Sequence, residues 1–170
     1  IDLPPHAPAE EYRRVVTFIR DEPCALGGLV TTHKLDLYAA CMDLFAYVDP
    51  YAEKLQEVSS LSKKNGQLCA YAKDPISSGL ALEAFVPQNF WAGHGGEVLL
   101  LGAGGSSLAM SLYLTQEKFG SNVPRRITIA NRSIPRLDAA REKLSELNGN
   151  VAFRYEHCPD PAGNDALVKA

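Results

Sequence analysis

The residues best suited to hold a phosphate stand in the run Val98-Leu99-Leu100-Leu101-Gly102-Ala103-Gly104-Gly105-Ser106-Ser107. Glycines placed directly between an apolar strand and a helix meet three needs of a bound pyrophosphate. Gly102 permits the tight turn, Gly104 has no side chain to block the phosphates, and the helix start offers free N–H groups and the positive end of its dipole. Ser107 replaces the third glycine of such loops and is still small enough for close helix packing. The expected contacting set is Gly102, Ala103, Gly104, Gly105 and Ser106. A glycine triplet alone also makes plain strand-to-helix turns. A strand before it, a helix after it and a second strand about 30 residues on turn the pattern toward nucleotide binding.

The end of that second strand discriminates between dinucleotides. An NAD site carries Asp or Glu there to accept from the ribose 2′-hydroxyl, whereas this chain has Asn131-Arg132-Ser133. A carboxylate would repel a 2′-phosphate; Arg132 can pair with it and stack its planar guanidinium on adenine. Arg136, one helical turn further, adds a second positive charge. NADP is therefore the expected cofactor, with Asn131, Arg132, Ser133 and Arg136 at its adenosine end.

The elements that must position these groups alternate regularly. Residues 97–101 read as a continuous apolar strand, 106–119 as a helix, 126–130 as a second strand, 134–147 as a second helix and 151–155 as a third strand. This β-α-β-α-β order is half of a doubly wound parallel sheet, the Rossmann type, of which more is expected beyond the chain. The region before it has another character. Tyr12, Val15, Val16 and Ile19 share one face of a predicted helix over 8–20, with Glu10, Glu11, Arg13 and Arg14 on the other. A buried strand is predicted over 26–31, where Gly27-Gly28 lets the backbone pass close to a neighbour, followed by a loop-to-helix junction at His33-Lys34 and a helix over 35–45. Asn65-Gly66 supplies a tight hairpin turn between strands predicted over 55–61 and 67–72, and a helix over 77–85 follows. The glycine-rich stretch 87–96 reads as a loop. The domain boundary is placed there, giving a substrate-binding α/β domain over 1–88 and a dinucleotide-binding domain over 89–170, each expected to lack elements at its outer end.

With 170 residues, 46% hydrophobic and 22% charged, the composition is that of an ordinary globular chain rather than a disordered one. A net charge of −3 with scattered basic residues gives no footprint for nucleic acid or an anionic membrane. Cys24, Cys41, Cys69 and Cys158 are far apart, without metal-ligand spacing, and read as buried thiols; no metal is expected. No apolar run approaches the ~20 residues of a membrane span, and a reducing cytoplasm suits the composition best. The expected partner is a small-molecule substrate, on a monomer or homodimer.

Leu101 to Gly105 and Asn131 to Ser133 resemble the Leu-Gly-Ala-Gly-Gly and Asn-Arg-Thr motifs of the shikimate/quinate dehydrogenase family. Val30-Thr31-Thr32-His33-Lys34 is similar to that family's Val-Thr-x-Pro-His-Lys motif, and the 56–60 and 72–75 segments fall where its Val-Asn-Thr and Asn-Thr-Asp-Gly segments would. The resemblance runs in order through nearly the whole chain. It implies a reversible hydride transfer between NADP and a ring hydroxyl of a cyclic polyhydroxy carboxylic acid, with the family's Lys and Asp at Lys34 and Asp74. Such a pair suits the chemistry: oxidising an alcohol needs a group that takes the hydroxyl proton, and a carboxylate orients and charge-stabilises a lysine for that work. His33 is expected to shape the junction rather than act as a base.

The departures concern the substrate. The family's hydroxyl-binding Asn corresponds to Ser59, and its Asn-Thr before the Asp become Ala72-Lys73. The Pro of the lysine motif is replaced by Thr32 or deleted; the substrate-binding Thr falls on Val30 without a gap and on Thr31 with one, and Thr31 is preferred for its hydroxyl. Lost amides leave substrate hydroxyls unpaired, which can discriminate ~10⁴-fold, so the resemblance points to an altered substrate. Two other readings stand beside this one: an amino-acid or folate-type dehydrogenase, and a non-catalytic ligand sensor or repressor of the same fold.

Overall fold

A computed structural model describes residues 1–4, 6–147 and 150–169. The chain divides into two compact units, Ile1–Lys73 and Asp74–Ala170. The division falls earlier than the boundary expected between 88 and 89, because the helix that opens at Asp74 packs on a helix of the second unit.

The first unit begins with α1 (Ala9–Asp21), whose Tyr12 and Val16 are buried while Glu10 and Glu11 favour the positive end of the helix dipole. The strand β1 (Gly27–Leu29) is shorter than the predicted 26–31. It leads to α2 (Lys34–Cys41), continued by a single 3₁₀ turn at Met42–Leu44. The strand expected over 55–61 begins only at Ser60. Leu55 instead closes a short helix, α3 (Pro50–Leu55), which follows the two-residue strand β2 (Tyr47–Val48). Asp49 caps α3 by accepting from the Ala52 N–H at 2.7 Å, Pro50 fixes the first helical φ, and Gln56 ends the helix in the left-handed region at φ 55°. The strand β3 (Ser60–Lys64) then pairs antiparallel with β4 (Gln67–Tyr71). Asn65 and Gly66, at φ 52° and 75°, form the expected turn between them. The sheet order is β1-β3-β4-β2, with only β2 parallel to its neighbour. Its core joins Tyr12 and Val16 of α1, Leu37, Tyr38 and Cys41 of α2, and Val58, Leu61, Leu68 and Ala70 of the sheet region.

The second unit starts with α4 (Asp74–Glu83), earlier than the expected 77. Gly79 of this helix lies against the Tyr113 ring so closely that a Cβ there would overlap it, and the Tyr113 hydroxyl donates to Glu83 Oε1 at 2.6 Å. The stretch expected to be a loop holds a one-turn helix, α5 (Phe90–His94), ended by Gly95 at φ 61°. From there the elements follow in the predicted order: β5 (Glu97–Leu101), α6 (Gly105–Leu114), which ends before the predicted 119, β6 (Arg126–Asn131), α7 (Ile134–Leu144), which ends before the predicted 147, and β7 (Ala152–His157). A further helix, α8 (Pro161–Lys169), follows the third strand. The three strands are parallel in the order β5-β6-β7, so the fold is α/β with the doubly wound half-sheet that the alternation implied. Of the four thiols, Cys41, Cys69 and Cys158 are buried but Cys24 is exposed, against expectation. Burial pushes the Cys41 thiol up to about 11, which keeps it protonated and unreactive. Among the described residues, no helix is long and apolar enough to cross a membrane.

Candidate functional site

In the second unit, parallel pairing brings the expected nucleotide residues to one edge. Leu101 stands opposite Ala130, and Asn131 opposite His157, so the chain leaves β5 and β6 at the same carboxyl end. Gly102 turns away at φ 124°, a conformation that disfavours any side chain, with its N–H donating to Ala130 O at 2.7 Å. Ser107 Oγ donates back to Gly102 O at 2.7 Å and so ties the turn to the first turn of α6. No side chain caps the start of that helix, and a Cβ built on Gly102 or Gly104 would meet no protein atom within 4 Å. Uncapped N–H groups above open space, with Gly104, Gly105 and Ser106 exposed and Ala103 buried beneath, fit a pyrophosphate.

The turn after β6 is held on three sides. Asn131 Oδ1 accepts from the Ser133 N–H at 2.9 Å, Asn131 O accepts from the Cys158 N–H at 3.0 Å, and His157 Nε2 lies 3.1 Å from Arg132 O. Arg132 and Arg136 are both exposed, with no ion pair or side-chain hydrogen bond among the described residues. Every other arginine is paired: Arg13 with Asp43, Arg14 with Glu11, Arg20 with Asp21, Arg125 and Arg126 with Glu97, Arg141 with Asp138 and Arg154 with Glu156. Two guanidiniums without partners therefore sit beside the glycine turn.

In the first unit, Thr31, Lys34 and Ser59 come from segments stitched together by backbone bonds. Val30 N–H donates to Ser59 O at 2.9 Å, and Val58 N–H donates to Lys34 O at 3.1 Å. Lys34 is the first residue of α2 and is half-buried, while Thr31 is exposed. His33 before it takes the left-handed conformation at φ 60° and sits 3.1 Å from the Tyr12 hydroxyl through Nδ1. Asp74 belongs to the second unit, where it opens α4.

Ser59 differs from expectation. It is 2% exposed, its Oγ accepts from the Lys73 N–H at 2.7 Å and donates to Tyr71 O at 3.4 Å. A hydroxyl has one proton to give, and this one is spent on backbone. Ser59 thereby ties its own segment to the backbone at Tyr71 and Lys73. Asp49, which the sequence reading passed over, does the same work: its buried Oδ1 also accepts from the Ala72 N–H at 3.3 Å, and Oδ2 lies 4.0 Å from Lys73 Nζ. The Asp-Pro pair at 49–50, a helix-start signal, was legible in the sequence. Among the described residues, no cluster of His, Cys, Asp or Glu could hold a metal ion.

No family model matches the chain. A shikimate dehydrogenase (NADP(+)) of Bacillus cereus (strain G9842) is 31% identical over 144 residues, covering 83% of this chain and 47% of that protein. The chain thus spans about half the length of the curated relatives it matches. A crystal structure of a shikimate dehydrogenase in complex with NADP+ superposes with a TM-score of 0.65 at 20% identity, covering 88% of this chain and 48% of the other. Ligand-free 5-ketofructose reductase of Gluconobacter sp. strain CHM43 superposes with a TM-score of 0.64 at 18% identity, covering 89% and 50%. In sequence over most of its length, and in fold, the chain is similar to shikimate dehydrogenases.

Proposed function

We propose that this chain forms the adjoining parts of the substrate-binding and coenzyme-binding domains of an NADP-dependent oxidoreductase acting on a CH–OH group. One observation carries the coenzyme: Arg132 and Arg136 are left unpaired beside an uncapped helix start, in a chain whose other arginines all have acidic partners. Unpaired charge at the surface suits a 2′-phosphate, and the absence of a carboxylate at 131–133 suits it equally. Gly102, Ala103, Gly104, Gly105 and Ser106 would hold the pyrophosphate; Asn131, Arg132, Ser133 and Arg136 would hold the adenosine phosphate. Bound NADP+ would supply the acceptor for hydride from the alcohol carbon.

Lys34 is the group proposed to take the hydroxyl proton and to steady the developing alkoxide, and Asp74 is proposed as the second catalytic group. Substrate contact falls to Thr31, which is exposed, because the Ser59 hydroxyl is engaged elsewhere. The substrate class is a cyclic polyhydroxy carboxylic acid or a related keto compound. With an amide-bearing contact replaced by a buried serine, shikimate itself is expected to be a poor substrate.

Titration of the full chain with NADP+ and NAD+ tests this reading. NADP+ is expected to bind more tightly, and R132E to abolish that preference by about tenfold or more through charge reversal at the phosphate. Equal affinity for the two coenzymes, or a preference unchanged in R132E, would overturn it. Coenzyme binding without turnover of a panel of cyclic hydroxy acids would favour the sensor reading.

A further inference from the structure

We propose that His157 is a positioning residue for coenzyme choice, acting through Arg132; this rests on the NADP reading above. The carbonyl of Arg132 can only accept, so the contact at 3.1 Å requires the hydrogen to sit on His157 Nε2, which donates to Arg132 O. The bond crosses from the end of β7 to the residue just past the end of β6, next to the register pair Asn131 and His157. It is one of three ties on this turn. The other two, Asn131 Oδ1 to the Ser133 N–H and Asn131 O to the Cys158 N–H, hold the residues on either side of the arginine. The imidazole holds the carbonyl of the Arg132–Ser133 peptide, whose N–H is the one held by Asn131 Oδ1.

That peptide decides where the guanidinium starts. Arg132 has no side-chain partner among the described residues, so nothing on its long, flexible stem fixes its direction. An arginine loses substantial rotamer freedom when it is ordered on a ligand, and a backbone anchored at the carbonyl lessens the reorganisation left to the moment of binding. Without the imidazole, the turn has a free carbonyl at its apex and the charge is spread over more directions. The consequence is confined to ligands that meet Arg132. A dinucleotide carrying a 2′-phosphate feels the change; one with a free 2′-hydroxyl, held by the glycine turn, does not.

The test compares H157A, H157Q and H157N in the full chain by titration with NADP+ and with NAD+, alongside R132A. Gln carries its amide nitrogen at the reach of Nε2, whereas Asn is one carbon shorter. H157A and H157N are expected to weaken NADP+ binding about fivefold, the usual worth of one such hydrogen bond, with NAD+ binding unchanged, and H157Q to recover most of the loss. If H157A fails to fold, the Gln and Asn variants still decide the matter. Equal losses for both coenzymes, no loss, or equal behaviour of Gln and Asn would overturn the proposal. When R132A loses NADP+ preference and H157A does not, only this inference falls; when the unaltered chain shows no NADP+ preference, the coenzyme reading falls and this one with it.

Discussion

Around Gly102 the working groups are backbone amides and two unpartnered guanidiniums, whereas around Lys34 they are side chains seated by bonds from distant parts of the chain. The first arrangement is built from consecutive residues. Strand, glycine turn and helix follow one another, and their N–H groups converge because the helix has begun. The second draws on α1 through Tyr12 and His33, on 58–59 through two backbone bonds, and on β4 and α3 through Ser59 and Asp49. A site of the first kind tolerates change in its surroundings but not in its glycines. A site of the second kind transmits damage from residues that touch no ligand.

Two glycines break this comparison most sharply. A Cβ on Gly27 would lie 2.2 Å from Leu61 O, backbone that is fixed by the pairing of β1 with β3. Neither partner is the flexible end of a side chain, so G27A is expected to cost about 3 kcal/mol or more of stability, read by denaturant unfolding. Coenzyme affinity of whatever remains folded should be unchanged. Gly104, at φ −96° and ψ −173°, has a backbone that alanine accepts, and its Cβ would meet no protein atom within 4 Å. G104A should therefore unfold like the unaltered chain while losing about tenfold or more in coenzyme affinity, about 1.4 kcal/mol per decade. The reverse result at either glycine would erase the distinction between the two regions.

S59A sharpens the second half of the comparison. It leaves the Lys73 N–H without its acceptor in a part-buried setting, with an expected cost of about 1–2 kcal/mol in stability. If Ser59 instead contacts substrate, S59A would raise KM with stability nearly intact. A full panel of unfolding and kinetic measurements on this one variant separates bracing from binding.

How much of this could be read from the residues follows the same line. The β5 to β7 half-sheet emerged from periodicity because each of its elements is a long run with one pattern and a clear stop. The region 47–61 did not. Leu55, Val58 and Leu61 recur at intervals of three, which suits neither period cleanly, and the decisive features were the Asp49 cap and the left-handed Gln56 rather than the apolar spacing. In 87–96 the glycines suggested a loop, yet Phe90 and Trp91 pack edge to face within a one-turn helix that uses Gly95 only to stop. The glycine turn and Arg132 were legible because their chemistry is local. The use of Ser59 was hidden, since its partners Tyr71 and Lys73 are brought near only by the hairpin.

The smallest effect lies at the other end of β5 and β6, where Glu97 bridges Arg125 and Arg126. The two guanidiniums, by hydrogen bonding first and then by charge, hold the Glu97 carboxyl below its usual value against the upward push of desolvation. A carboxylate whose value is depressed by folding contributes stability above its unfolded pKa and loses it as pH falls through the folded one. E97Q should thus lower the melting temperature slightly at neutral pH, and the two proteins should begin to converge as pH falls below the ordinary Glu value of roughly 4.3. The pair is exposed, so added salt should shrink the difference further. A gap that persists in acid or in high salt would mean that Glu97 acts by packing against the strand ends, and that this edge of the sheet, like the region around Lys34, depends on side-chain fit as well as on backbone.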